Sequence, residues 1–431
     1  MTAPKNVKFA RSIAAAASVS KAFFAVLISG SVVGCASARM SDSASDHLFR
    51  SGQYEAAAAK LREGVKDQGE NGRDLLLYLL DLGLTLHTAG LYEESNKAFE
   101  QAEKIAEIKD YTSLSAEGAT LLLSENLKDY KGEDFEKILI NTYKAMNYAL
   151  MGGTDDAIVE ARLVNRKLHM MVTDGQRKYK QSAFARYLSA ILYESEGEYS
   201  DAYIDYKNTY DLEPGFPGLG RDLWRLAWLQ GDSDRMDEWA EKFSLTDEDK
   251  SAARELKPSK GKGEIVVIYE NGISPIKKPN RNFESTPMFY PRYNPVRLAN
   301  VEINGEVRAS TAVLDDIEAV AIENLEEKYG GIVAKKIAGL AVKGGIAYGV
   351  ARATDNPMLG YLAGMLLVKA DQADLRSWNL LPRDLQIARV TVAPGTYSVR
   401  VVPLGAGVLP EKSVVVGAGK KVILDFRYTP S

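Results

Sequence analysis

The chain has 431 residues, with 54 Lys and Arg against 58 Asp and Glu, three His and a single Cys. A formal charge of −4 leaves no electrostatic footprint for nucleic acid, and one thiol allows no internal disulfide. The length admits two or three domains.

In chain order, Lys5, Lys8, Arg11 and Lys21 precede the first acidic residue, Asp42, and an apolar run extends from Ala22 to Val33. That run is far shorter than the ~20 residues of a membrane-spanning helix and suits the apolar core of a signal peptide. Val32-Val33-Gly34-Cys35 resembles the bacterial lipobox. The resemblance implies that Cys35 receives a diacylglyceryl group, that residues 1–34 are cut away as a leader, and that the new amine is acylated. With about 0.8 kcal/mol per buried methylene, two or three acyl chains hold a protein on a bilayer. Ser37 in place of Asp implies, by the enterobacterial sorting rule, the outer membrane with the protein facing the periplasm. An ordinary secretory leader cut after Ala36-Ser37-Ala38, or a buried cytosolic cysteine, are the competing readings. Loss of the leader removes four positive charges and leaves 50 basic against 58 acidic residues.

After a tether over 35–44, residues 45–255 show helical periodicity throughout. In "LLDLGLTLHTAGLYEESNKAFEQAEKI", Leu79, Leu82, Gly83 and Leu86 are followed by Gly90, Tyr92, Ser95, Phe99 and Ala102. This resembles the tetratricopeptide (TPR) pattern, in which small residues let paired helices close and large ones fill the seam. Similar signatures place glycines at 52, 90, 152, 197 and 231. The wide gap between 90 and 152 leaves room for a further helix around "SAEGATLLLSENLKDYKGEDFEK". Such an array is a solenoid with a concave groove. Carried over from TPR proteins, the groove positions are Leu77, Leu80, Leu84, His87 and Thr88 in the second repeat, and Phe184, Tyr187, Ile191, Glu194 and Ser195 in the fourth. They are expected to hold a peptide or helix of a partner; the competing reading buries the leucine-rich set against another part of the chain.

"DYKGEDFEKILINTYKAMNYALMGGTDDAIVEARLVNRKL" carries Tyr130, Gly132, Glu133, Phe135, Glu136, Tyr143, Asn147, Tyr148, Glu160, Ala161, Arg162 and Asn165. With "ADLRSWNLLPRDLQIARVTVAPGTYSV" near the other end, it resembles a family of tetratricopeptide lipoproteins of Gram-negative bacteria. The resemblance spans nearly all of the chain after Cys35 and implies the fold and the anchor, but no chemistry.

A charged linker over 256–263 leads into an α+β module over 264–431. "EIVVIYENG" reads as a strand, and Asn304-Gly305 supplies the positive φ values of a type I′ hairpin turn. The strands at the far end suggest a small antiparallel β-sandwich with a "PGTY" hairpin. Between them lies a Gly/Ala-rich helical hairpin, with Ile332, Val333, Ile337, Leu340 and Val342 on its apolar side and Lys335, Lys336, Lys343 and Arg352 elsewhere. It either packs closely on the sheet or inserts into a membrane or partner, and its uncharged run is too short to span a bilayer. Asp374, Arg376 and Trp378 are expected to lock helix to sheet.

Catalytic signals are scarce. His47, His87 and His169 are far apart with no metal-ligand spacing, and neither a nucleophile elbow nor a Walker loop occurs. The expectation is a non-enzymatic chain with no cofactor and no metal: a lipid-anchored periplasmic TPR scaffold with cell-envelope proteins as partners. Its rivals are an activator of, or enzyme in, peptidoglycan or polysaccharide synthesis, and a structural subunit of an export complex.

Overall fold

Five tight turns set the architecture of the first half. Gly52, Gly90, Gly152, Gly197 and Gly231 all adopt positive φ, between 72° and 81°, a conformation glycine reaches without steric cost. Each lies between two helices: α1 (Asp42–Arg50) and α2 (Tyr54–Gln68), α3 (Leu75–Thr88) and α4 (Tyr92–Ser113), α5 (Asp134–Leu150) and α6 (Thr154–Thr173), α7 (Ala183–Glu196) and α8 (Tyr199–Leu212), α9 (Leu219–Gln230) and α10 (Ser233–Lys242). From α2 to α10 each helix packs on the next in sequence, the one-dimensional stacking of a TPR-like solenoid. Seams close on small residues: a Cβ on Gly83 would lie 2.5 Å from the Phe99 ring. A final helix, α11 (Asp247–Glu255), packs on α9.

The computed structural model describes residues 42–113, 129–173, 182–256, 261–369 and 371–430. The lipobox, Cys35, most of the expected tether, residues 115–128 of the expected extra helix and residues 257–260 of the linker lie outside the described residues.

The second half contributes β1 (Gly263–Asn271), β2 (Ile276–Asn280), β3 (Phe283–Tyr290), β4 (Ala299–Ile303), β5 (Glu306–Ser310) and β6 (Ala312–Asp316). Helices α12 (Ile317–Thr354) and α13 (Pro357–Lys369) follow, then β7 (Asp384–Val392), β8 (Gly395–Pro403), β9 (Lys412–Val416) and β10 (Lys421–Tyr428). Two four-stranded sheets, ordered β10-β1-β7-β6 and β5-β4-β8-β9, accompany the β2-β3 ribbon. Asn304 and Gly305, at φ 53° and 86°, turn the β4–β5 hairpin. The expected all-antiparallel sandwich is corrected at β1, which pairs in parallel with β10. "PGTY" is not a hairpin either: the chain passes there from β7 in one sheet to β8 in the other.

Ile265, Val267, Tyr269, Ala388, Val390 and Phe426 form one apolar core with Val301, Val399 and Val401 of the facing sheet. Val266, Ile268, Leu385 and Ile387, from the opposite face, belong to the core built by the solenoid. Residues Ala44–Ser431 therefore form one compact unit, in which solenoid and strands share a continuous interior.

Candidate functional site: a charged sheet face in the solenoid groove

Side chains alternate across a strand, so the face of β1, β7 and β10 opposite the sandwich core also carries Glu264, Glu270, Arg389, Lys421, Asp425 and Arg427. The register pairs Glu264 with Lys421 and Glu270 with Arg427, and Val266 with Arg389. This face is turned toward the solenoid, where Glu270, Arg389, Lys421 and Asp425 meet helix side chains.

At one end, Arg389 grips Glu264 with two nitrogens at 2.8 and 2.6 Å. Its Nη1 donates to Asp222 Oδ2 at 2.8 Å and to the Tyr187 hydroxyl at 2.9 Å. Lys421 Nζ lies 2.6 Å from Glu264 and 3.3 Å from Glu194. Arg225 forks onto Glu194 at 2.9 and 2.8 Å. Against the upward push of burial, Arg225, Lys421 and Arg389 hold the Glu194 carboxyl down at about 2.

At the other end, α3 and α5 meet β1 and β10. His87 Nε2 faces Glu270 Oε1 at 3.2 Å and Asp425 Oδ2 at 3.5 Å. Its Nδ1 is 2.6 Å from Asn147 Oδ1. The Tyr143 hydroxyl donates to Glu270 Oε2 at 2.5 Å, and Arg427 Nη1 reaches the same oxygen at 3.2 Å. Burial lowers the His87 pKa, but hydrogen bonds to Asp425 and Glu270 outweigh it and raise the value to about 10. Burial and the neighbouring Glu270 charge raise that of Asp425.

A third cluster surrounds the start of α5. Glu136 accepts from the Tyr130 hydroxyl at 2.5 Å, the Glu133 amide at 2.9 Å and the Trp378 amide at 2.7 Å. Glu133 pairs with Lys277 and Lys328; burial opposes them, yet they bring its carboxyl to about 2. Trp378 packs on Phe99 and Tyr143, and Arg376 joins Asp374 to Asp74 of the solenoid. Asp374, Arg376 and Trp378 thus join the β-rich half to the solenoid helices.

The residues expected to line an open groove have another occupant. Leu77, Leu80, Leu84, Phe184 and Ile191 are buried. His87, Tyr187 and Glu194 bond to the sheet as described, and Thr88 is half-buried, donating to the Leu84 carbonyl at 3.0 Å. The expected foreign peptide is replaced by the chain's own strands, whose Glu270, Arg389 and Lys421 bond there to His87, Asp222 and Glu194. Sequence reading missed Glu270 and Asp425, which lie 183 residues from His87 in the first case and nearly twice that in the second. The available signal was charge on alternate strand residues otherwise rich in Val and Ile.

Two cavities adjoin this region. One of about 200 Å³ is lined by Phe135, Leu139, Leu168, Asp315 and Val320. Burial raises Asp315 to about 7 there, against hydrogen bonds from Ser182 and the amides of Phe184 and Ala183. A second, of about 250 Å³, is bordered by Arg221, Arg225, Arg308 and Arg389. Neither contains His87, Glu270 or Asp425 in its lining.

No family model matches the chain, and no curated protein does. Among solved structures, MamA aligns at 15% identity and TM-score 0.32, over 49% of this chain and 96% of that one. MamA from Desulfovibrio magneticus aligns at 15% and 0.32, over 50% and 94%. A kinesin-light-chain array of nearly identical TPR-like repeats from "Podosopora anserina" aligns at 13% and 0.32, over 50% and 95%. At such scores these likenesses carry no argument about function; the TPR-like assignment rests on the stacked helix pairs and their glycine turns.

Proposed function

We propose that the chain is a lipid-anchored, periplasm-facing scaffold for protein–protein interaction in cell-envelope assembly or maintenance, and that it meets its partners through the α12–α13 hairpin instead of the groove. The observation that carries this reading is the surface of that hairpin. Tyr348, Met358, Tyr361, Met365 and Leu366 are each between 48% and 67% exposed, a contiguous apolar patch of the kind that marks an interaction site. Gly360 and Gly364 lie against Ala351 and Ala347, so the two helices approach closely, and a cleft of about 770 Å³ opens beside this seam. Its occupant is argued to be an apolar helix of another protein. Insertion into lipid would carry Arg352 and Asp355, at the hairpin tip, deepest into hydrocarbon, at high energetic cost, and no described helix is long and apolar enough to cross a membrane. The same exposed patch favours, as second reading, a structural subunit of an export complex.

The test places a photocrosslinking residue at Tyr361 in living cells and compares it with a Tyr361→Glu/Met365→Glu variant. The proposal expects a discrete covalent adduct with an envelope protein, and loss of that partner from the variant while its unfolding midpoint stays unchanged. Crosslinks to lipid alone, or a variant that keeps its partner, would overturn it. Cys35→Ala is expected to leave the membrane fraction; retention there would refute the anchor.

A further inference from the structure

The His87 cluster gathers one imidazole nitrogen and two carboxylate oxygens at one buried point. One imidazole nitrogen, Nε2, faces two carboxylate oxygens at 3.2 and 3.5 Å. A charge-assisted hydrogen bond is shorter, about 2.7–2.9 Å, and a single N–H points at one acceptor. Donor atoms around a tetrahedral zinc ion, with bonds of about 2.0–2.2 Å, stand about 3.3–3.6 Å from one another. The two nitrogen–oxygen separations lie close to that spacing, and all three donor atoms lie within 4.8 Å of one another.

The far ends of the same side chains are held as those of metal ligands are. Asn147 gives its amide nitrogen to Ser95 at 2.9 Å and to Asn96 at 2.7 Å, so its oxygen is the atom that meets His87 Nδ1. That contact fixes a ring proton on Nδ1, so Nε2 is the nitrogen turned to the two acids, where an ion would displace its proton and take its lone pair. On Glu270, Tyr143 and Arg427 occupy Oε2 only, and Oε1 remains for the centre of the cluster. Arg427 is further committed to the Leu380 carbonyl at 2.8 Å and stands outside the donor set. An independent observation completes the picture: Asp425 is 5% exposed, yet its Oδ1 has no hydrogen-bond partner. A buried carboxylate oxygen without a donor is costly unless a cation answers it.

We propose that His87, Glu270 and Asp425 bind one divalent transition-metal ion through Nε2, Oε1 and Oδ2. One imidazole and two carboxylates, with no thiolate, suit the Zn²⁺ class of ion. His87 and Glu270 are at most 1% exposed, which closes the site to a substrate from solvent. The ion ties α3 of the solenoid directly to β1 and β10 and latches the sheet in the groove.

The test is the metal content of the full chain in detergent, expressed in zinc-supplemented medium and measured by plasma mass spectrometry. Refolding with Co²⁺ provides a second, spectroscopic readout. One zinc per chain is expected after exhaustive dialysis, together with the visible absorption of tetrahedral Co²⁺. Both should be lost in Asp425→Asn, an isosteric change, with circular dichroism confirming its fold. If that variant fails to fold, the wild-type content decides alone. Wild-type protein free of zinc and without the cobalt bands would overturn the proposal, leaving a protonated imidazole between the two acids. Zinc or cobalt retained undiminished by a folded Asp425→Asn protein would overturn it equally.

Discussion

Arg389 shows how single residues bind the two halves of this molecule. Its guanidinium answers Glu264 on the neighbouring strand and Asp222 on α9, while the Tyr187 and Tyr206 hydroxyls stack and accept around it. Truncation would leave buried carboxylates without their cation. Arg389→Met is expected to cost about 3–5 kcal/mol of stability by urea denaturation, while Arg389→Met/Glu264→Leu should recover part of that loss. Equal losses in both would mean that the ion pair is not what holds the site. At this scale the sequence was partly legible. The five turn glycines stood out through repetition, and Leu84, His87, Tyr187 and Glu194 were recognisable as facing the groove. What occupies the groove was not, because pairing partners such as Glu194 and Lys421 are joined only through the tertiary fold.

Among elements, the long hairpin and the inner strands depart furthest from their sequence patterns. Helix α12 runs unbroken through Gly330-Gly331 and Gly344-Gly345; Ile332 packs on the core and Lys335 and Arg352 are exposed, as expected, but further along the helix the polarity departs from expectation. Lys336 and Lys343 are buried, each paired with Asp371 at 2.5 and 2.8 Å, whereas Ile337, Leu340 and Val342 are exposed. One acidic residue after α13 draws both inward. A periodicity count treats Lys as solvent-facing and cannot see Asp371, so it misplaces these two lysines. Asp371→Asn is expected to loosen the base. Limited proteolysis should then cut within 337–368 several-fold faster than in the parent, with the strands left intact; an unchanged rate would show that the helix seam alone fixes the hairpin. Strand β10 misleads for a related reason. Its alternation, Lys421, Ile423, Asp425 and Arg427 against Val422, Leu424 and Phe426, suggests a solvent face, but the other side of this sheet is buried in another part of the same chain.

For the whole molecule, the buried acids set the response to pH. Glu133 and Glu194, at about 2 in the fold, have ordinary values near 4.3 when unfolded. Between those limits the unfolded chain binds protons that the fold does not, so stability rises with pH there. Their contribution is complete above about pH 4.5 and disappears as pH falls toward 2. Asp315 acts in the opposite sense: raised to about 7, it holds its proton in the fold between about pH 4 and 7 while the unfolded chain releases it. Its contribution therefore declines as pH rises through that window. The urea midpoint is expected to peak near pH 5, with a steep acid limb and a shallower decline toward neutrality. Asp315→Asn should flatten only the second limb, and an unaltered profile would contradict the burial of that carboxyl. The segment from Tyr130 to Asn147 also gains a physical meaning at this scale. Tyr130, Glu133, Glu136, Tyr143 and Asn147, grouped by resemblance, all lie in the clusters that join the two halves.

The central claim is that the solenoid groove is filled by the chain's own sheet. A double-mutant cycle across that boundary tests it most directly, combining Asp222→Ala on α9 with Arg389→Ala on β7 and measuring unfolding free energies in urea. A side-chain contact at 2.8 Å predicts a coupling of about 1.5–3 kcal/mol between the two substitutions. Losses that add to within about 0.5 kcal/mol would contradict the account.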